Sequence, residues 1–169
     1  MTIYPAKWVF KLMLWMSVSF SFLSASQAED GRGGSTGYDE KAKPQWLGNP
    51  GKIRVTVNEK SFLATLAKNE TAKDFASLLP LTLTMKDLFG REKFAGLPRA
   101  ISTAGPRSFT YEVGDVILWS PGPDVAIFYS HDGETIPSPG GILIAKADAG
   151  VELIAVRGAV TVKVELVQD

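Results

Sequence analysis

Short runs of strictly alternating apolar and polar residues constrain this chain more than any other feature. Ile53, Val55 and Val57 alternate with Arg54 and Thr56. After the polar turn Asn58-Glu59-Lys60, the residues Phe62, Ala64 and Leu66 alternate again. Val160, Val162, Val164 and Leu166 do the same against Thr161, Lys163 and Glu165. Successive side chains of a strand point to opposite faces, so each run has one face for a core and one for solvent. Residues 81–86 alternate strictly, and residues 92–97 do so more weakly. Residues 109–113, 116–120, 125–129 and 141–145 are further strand candidates, while 151–156 fits either a strand or a helical turn. About eight short strands, with turn signals every ~8 to 12 residues, predict a mostly β barrel or sandwich.

One segment breaks the pattern. Thr71-x-x-Asp74 resembles a capping box, Phe75, Leu78 and Leu79 share a helical face, and Pro80 ends it. This predicts one short helix over residues 71–79, packed as a lid on an open end of the sheet structure.

The first 28 residues carry no acid, place Lys7 and Lys11 before twelve apolar or small residues from Leu12 to Leu23, and end in Ser26-Gln27-Ala28. That is the layout of a secretory signal peptide cleaved after Ala28, and the apolar run is too short for the ~20 residues of a spanning helix. No Arg-Arg pair precedes it, which favours the general export route. Export predicts a periplasmic or extracellular protein with no membrane span after signal removal. Removing Lys7 and Lys11 from 18 bases leaves 16 against 18 acids. Residues 29–51, with six glycines and two prolines, read as a flexible linker before a domain over 52–169.

The chain has no cysteine, which excludes disulfides, thiol catalysis, zinc ribbons and iron–sulfur ligation. An exported domain of this kind is held by its core alone. Residues 52–169 carry 13 bases and 14 acids with no run of either sign, so no nucleic-acid face is expected. No pattern sets an oligomeric state.

Four segments in order carry a resemblance: Thr71-Ala72-Lys73-Asp74-Phe75-Ala76-Ser77-Leu78-Leu79-Pro80-Leu81, Leu97-Pro98, Gly114-Asp115-Val116 and Ala126-Ile127-Phe128-Tyr129. Together they resemble the bacterial cyclophilin-like family, which shares a T-A-x-D-F-x-x-x-L-P helix, a G-D turn into a strand, and an A-I-F-Y strand after a P-W-G turn. The resemblance runs from Lys52 to about Leu166. It implies a closed antiparallel cyclophilin-like β-barrel of about eight strands, smaller than a full cyclophilin, with the helix plugging one end. It does not imply isomerase activity, because the F-x-x-Q-G-G-D type segment of true cyclophilins is absent. The chain also reads Ser120-Pro121-Gly122-Pro123-Asp124 where the family has its P-W-G turn, with Trp119 just before it.

Proline isomerisation needs a dry apolar slot and a cation that weakens amide resonance, not an acid–base pair. Arg99 and Arg107 are the guanidinium candidates, and Phe109, Tyr111, Trp119, Phe128 and Tyr129 the aromatic ones. Each aromatic serves equally as ordinary barrel core, and Arg99 as a solvated loop cation. His131, in Ser130-His131-Asp132-Gly133-Glu134, is either an exposed turn residue or a base beside Asp132 or Glu134. Asp132 and Glu134 lack calcium-loop spacing, and neither G-x-S-x-G nor S-x-x-K occurs. The Pro- and Gly-rich stretches 121–123 and 137–141 either form a stiff binding rim or protect an edge. The expectation is an exported domain that binds a small molecule or extended peptide at the barrel rim through Arg99, Tyr111, Trp119, Phe128, Tyr129 and His131. No cofactor and no metal are expected. A periplasmic peptidyl-prolyl isomerase, or a structural accessory domain of an envelope partner, are the alternatives.

Overall fold

The structure, a computed structural model, describes residues 51–168. The expected signal peptide and all but the last residue of the expected linker lie outside the described residues. Among the described residues nine strands form in chain order: β1 Lys52–Val57, β2 Lys60–Leu66, β3 Leu81–Leu88, β4 Glu92–Gly96, β5 Arg107–Ser108, β6 Asp115–Trp119, β7 Asp124–Phe128, β8 Gly141–Ala147 and β9 Val160–Leu166. Their order is β2-β1-β9-β3-β4-β7-β6-β8, and β2 also pairs with β8, so eight strands close a barrel. The two-residue β5 lies beside β8 outside that circuit. Every pairing is antiparallel.

The alternation read in the sequence is what fills the barrel. Ile53, Val55 and Val57 of β1, Phe62, Ala64 and Leu66 of β2, and Val160, Val162 and Val164 of β9 are all buried in one core. Asn58 and Glu59 at the β1–β2 turn have φ of 46° and 68°, the left-handed pair that a two-residue hairpin turn requires. A void of about 10 Å³ lies in this core, bordered by Phe75, Met85 and Val125 among others. It is at most the space of a single water, too small for a ligand.

The helix α1, Glu70–Ala76, plugs the end where β2 finishes and β3 begins, with Ala72, Phe75 and Ala76 buried. It starts earlier than the capping-box pattern predicts. Asn69 is the cap: its Oδ1 accepts from the Ala72 N–H at 2.8 Å while its Nδ2 donates to the Leu143 carbonyl at 2.8 Å. Asn caps as well as Thr and comes first in the chain. Thr71 is therefore inside the helix and fully buried, its Oγ1 accepting from Gly105 N–H, and Asp74 is left to bond outward to Arg99 and Ser102. Leu78 and Leu79 follow the helix and pack partly buried against the core.

Residues 109–113, expected as a strand, form none. Tyr111 is buried while Phe109 and Val113 are 54% and 44% exposed, so burial does not follow the apolar alternation of the sequence. The segment crosses the outside of the barrel as a loop, held by Ile136 N–H donating to Phe109 O and Glu112 N–H donating to Asp115 Oδ2, rather than by a ladder. Residues 151–156, left open by the sequence, contain a 3₁₀ helix at Val151–Ile154. No helix among the described residues is long and apolar enough to cross a membrane.

The end opposite α1 is closed by a buried charge. Lys93 points inward from β4 with no solvent exposure, and its Nζ donates to Asp87 Oδ2 at 2.7 Å, to Gly158 O at 2.8 Å and to Val156 O. All three ammonium protons thus have acceptors. The Tyr129 hydroxyl donates to the same Asp87 oxygen at 2.6 Å, and burial, with that bond second, pushes its pKa up to about 12. Removing Lys93 takes the donor from two carbonyls and leaves Asp87, 29% exposed, with only Tyr129 and the Gly90 N–H. Lys93→Met is expected to cost about 3 kcal/mol of unfolding free energy. Denaturant titration checks this, and an unchanged midpoint would show that the plug contributes nothing.

Candidate functional site

The site follows from the parity of β4 and β7. Glu92 stands opposite Phe128 and Phe94 opposite Ala126, and because Lys93, Ala95, Val125 and Ile127 face inward, these four face out. Ile117 on β6 lies opposite Ala126 and also faces out. Two crossing loops cover this outer strip, one contributing Tyr111 and the other Ile136, to make a second small core of Tyr111, Ile117, Ala126, Phe128 and Ile136.

At the end remote from α1 the strip becomes a column of rings. Phe128, buried, stacks on Tyr111 with centroids 3.9 Å apart, and Tyr111 stacks on His131 at 4.6 Å. His131 is exposed, and its Nδ1 accepts from the Gly133 N–H at 2.9 Å, so the neutral ring carries its proton on Nε2. Gly133 supplies a φ of 85° for this turn.

Asp132 ties the column to a guanidinium. It accepts from the Tyr111 hydroxyl at 2.7 Å, from Arg91 Nη1 at 3.1 and 3.2 Å, and from the Glu134 N–H at 3.0 Å. The Tyr111 bond above all, with the Glu134 amide and Arg91 adding to it, holds the Asp132 carboxyl down at about 2. The Arg91 guanidinium carbon lies 5.4 Å from the ring centres of Phe89 and Tyr111 and 5.9 Å from that of Phe128. Its side chain is only 9% exposed, and its Nε is buried without a hydrogen-bond partner, 3.7 Å from Glu92 Oε2. Burial lifts the Glu92 carboxyl to about 7, against the pull of Arg91 and with the help of the Asp132 charge. Phe89, at the tip of the β3–β4 hairpin, is 71% exposed.

Sequence comparison then settles the family. The family model described as the cyclophilin-like family matches residues 55–165. The chain belongs to the cyclophilin-like family. No curated protein matches the sequence. The fold is similar to the solution structure of a hypothetical protein from Archaeoglobus fulgidus, with a TM-score of 0.60 and 20% identity over 73% of this chain and 100% of that one, a likeness of fold alone.

On this cyclophilin-like barrel the residues expected to share a site divide into three groups. Tyr111, Phe128 and His131 come together at the rim, and Trp119 packs against the same outer core from the far end of β6. Tyr129 turns the other way, to Asp87 and the Lys93 plug. Arg99 stands at the α1 end, where it donates to Asp74 Oδ1 at 2.7 Å and Ser77 Oγ at 2.9 Å. Phe128 lies opposite the first residue of β4 and Arg99 follows its last, so the length of that strand, roughly 13 Å, separates them. Arg107 is bonded to Ser120 Oγ and Gly140 O, also away from the column.

Arg91, Glu92 and Phe89 were not legible as site residues, since charges at the mouth of a strand ordinarily face water. The available signal was parity, which puts Glu92 on the same face as Phe94. What the cluster can do is stack flat groups on exposed rings, donate hydrogen bonds from a guanidinium, and exchange a proton near neutrality through Glu92. No group of three or more His, Asp or Glu among the described residues could hold a metal ion.

An acid whose folded pKa is raised contributes stability in full below its unfolded value, here 4.5, and loses it as pH rises through about 7. Glu92→Gln removes that dependence. From pH 5 to pH 8 the variant is expected to gain about 1–2 kcal/mol of stability relative to the parent, discounted for residual solvent. Denaturation at a series of pH values measures the difference, and a pH-independent one would contradict the burial of an ionisable Glu92.

Proposed function

We propose that this protein is an exported, cyclophilin-like binding module that holds a small molecule or an extended peptide at the barrel rim, without covalent chemistry of its own. The observation that carries this reading is the column Phe128–Tyr111–His131 beside the Arg91 guanidinium. A buried interior and a solvent-facing ring are joined there beside a guanidinium whose carbon lies 5.4 Å from the ring centres of both Phe89 and Tyr111. The exposed His131 and Phe89 offer flat surfaces next to Arg91 on the outside of the barrel. Arg91 and Asp132 position one another, so the guanidinium is held rather than free to follow solvent. The leader pattern of residues 1–28 supports export.

An isomerase reading that couples Arg99 to Phe128 gains nothing from the geometry, because the two stand at opposite ends of β4. Binding by shape, stacking and hydrogen bonds suits the side chains present at the rim.

The test is a titration of 15N-labelled protein with a panel of N-acetylated dipeptide amides and small aromatic amides. Shifts are expected to centre on Arg91, Tyr111 and His131, and Arg91→Ala is expected to weaken binding about tenfold or more. Trp119→Ala is expected to leave binding within about twofold, since Trp119 lies at the far end of the strip. A panel that moves nothing, or that shifts only residues around α1 and Arg99, would contradict the reading.

A further inference from the structure

Two carboxyl groups face one guanidinium at the rim, and they hold it unequally. Asp132 takes Nη1 through both oxygens at 3.1 and 3.2 Å, distances near the long end for a charged pair. Glu92 faces Nε at 3.7 Å, too far for a hydrogen bond, although both groups are buried and Nε has no other partner. The buried Nε–H is thus an unfilled donor facing an acid. A Glu92 carboxylate closes to a charged contact of about 2.8 Å by a movement of roughly 0.9 Å, which pulls on a guanidinium that Asp132 also holds.

We propose that Glu92 is a proton-operated latch on the loop of residues 130–134. Uncharged, it leaves Arg91 to Asp132, and the loop stays closed on Tyr111. As an anion it takes Arg91 Nε, repels Asp132, and releases the loop that carries His131. The loop is otherwise held by few bonds: Tyr111 hydroxyl to Asp132, Asp132 N–H to the Tyr111 hydroxyl, Glu134 N–H to Asp132, Gly133 N–H to His131 Nδ1, and Ser130 N–H to Arg91 O. Three of these five run through Asp132, so its contact with Arg91 bears on how tightly the loop is held. The charged and titratable groups that face Glu92 are Arg91 from its own hairpin, Asp132 from the loop, and Tyr129 after β7. Tyr129 stays protonated throughout the neutral range. The raised pKa of Glu92 places the release near neutrality. That the latch also opens and closes a ligand site rests on the binding reading above; the latch itself does not.

His131 Nδ1 is itself the acceptor for Gly133 N–H, so the loop is followed without that imidazole. The experiment follows amide–water exchange of Asp132, Gly133 and Glu134 by NMR from pH 5.5 to 8.5, corrected for intrinsic exchange, in a His131→Gln background. Protection is expected to fall about tenfold with a midpoint that coincides with the 13C titration of the Glu92 carboxyl. Glu92→Gln is expected to keep the loop protected through pH 8.5. Flat protection, a midpoint away from the Glu92 titration, or the same loss in Glu92→Gln would overturn the latch. The carboxyl-midpoint comparison needs no substitution at Glu92, so a poorly folded variant leaves the test intact. No ligand enters the measurement: a loop that responds as described while no probe binds would remove the binding reading and leave the latch standing.

Discussion

Three residue pairs, Ala64–Ala147, Thr65–Lys146 and Leu66–Ala145, join β2 to β8 and turn a sheet into a barrel. Everything else depends on that closure. It removes the free edges that a twisted eight-stranded sheet would expose, and it fixes for every strand which face is inside. The seam is reinforced from outside by Asp148, which accepts from Lys52 Nζ and Thr65 Oγ1, both at 2.7 Å. A chain without cysteine relies on such closure and on its apolar interior for cohesion. The outward faces of β6 and β7 carry a second, smaller core and its rim cluster.

Strand β4 shows how one sequence run serves both sides of the wall. Glu92 and Lys93 are adjacent, both charged in water and both buried here, but they point in opposite directions. Lys93 has an acceptor for each proton and closes the barrel end, which is how a buried ammonium is tolerated. Glu92 shares a single guanidinium with Asp132 and is left without a full partner. The first arrangement is rigid and structural. The second is poised, and such imperfect satisfaction concentrates where a protein does something other than hold together.

Much of the fold was legible in the chain because a closed barrel writes its interior directly into period-2 alternation. Val160 to Leu166 and Ile53 to Val57 match their strands residue by residue. Residues 109–113 misled for a physical reason: a loop that buries only its central tyrosine against an outer core alternates just as a strand does. The start of α1 was displaced because Asn69 and Thr71 are both good caps, and only the Leu143 carbonyl, distant in sequence, decides between them. The site was half legible. Tyr111, Phe128 and His131 are aromatic and drew notice, whereas Arg91 and Glu92 become buried only when the 109–114 and 130–136 loops fold over them, which no local pattern encodes.

The rim cluster is one unit organised by Asp132 rather than a set of neighbouring side chains. A double-mutant cycle with Arg91→Gln and Tyr111→Phe measures that unity, since both residues bond to Asp132. Unfolding free energies of the parent, the two single variants and the double variant should show a coupling of about 1–2 kcal/mol. A coupling below about 0.3 kcal/mol, the scatter expected of independent positions, would contradict it.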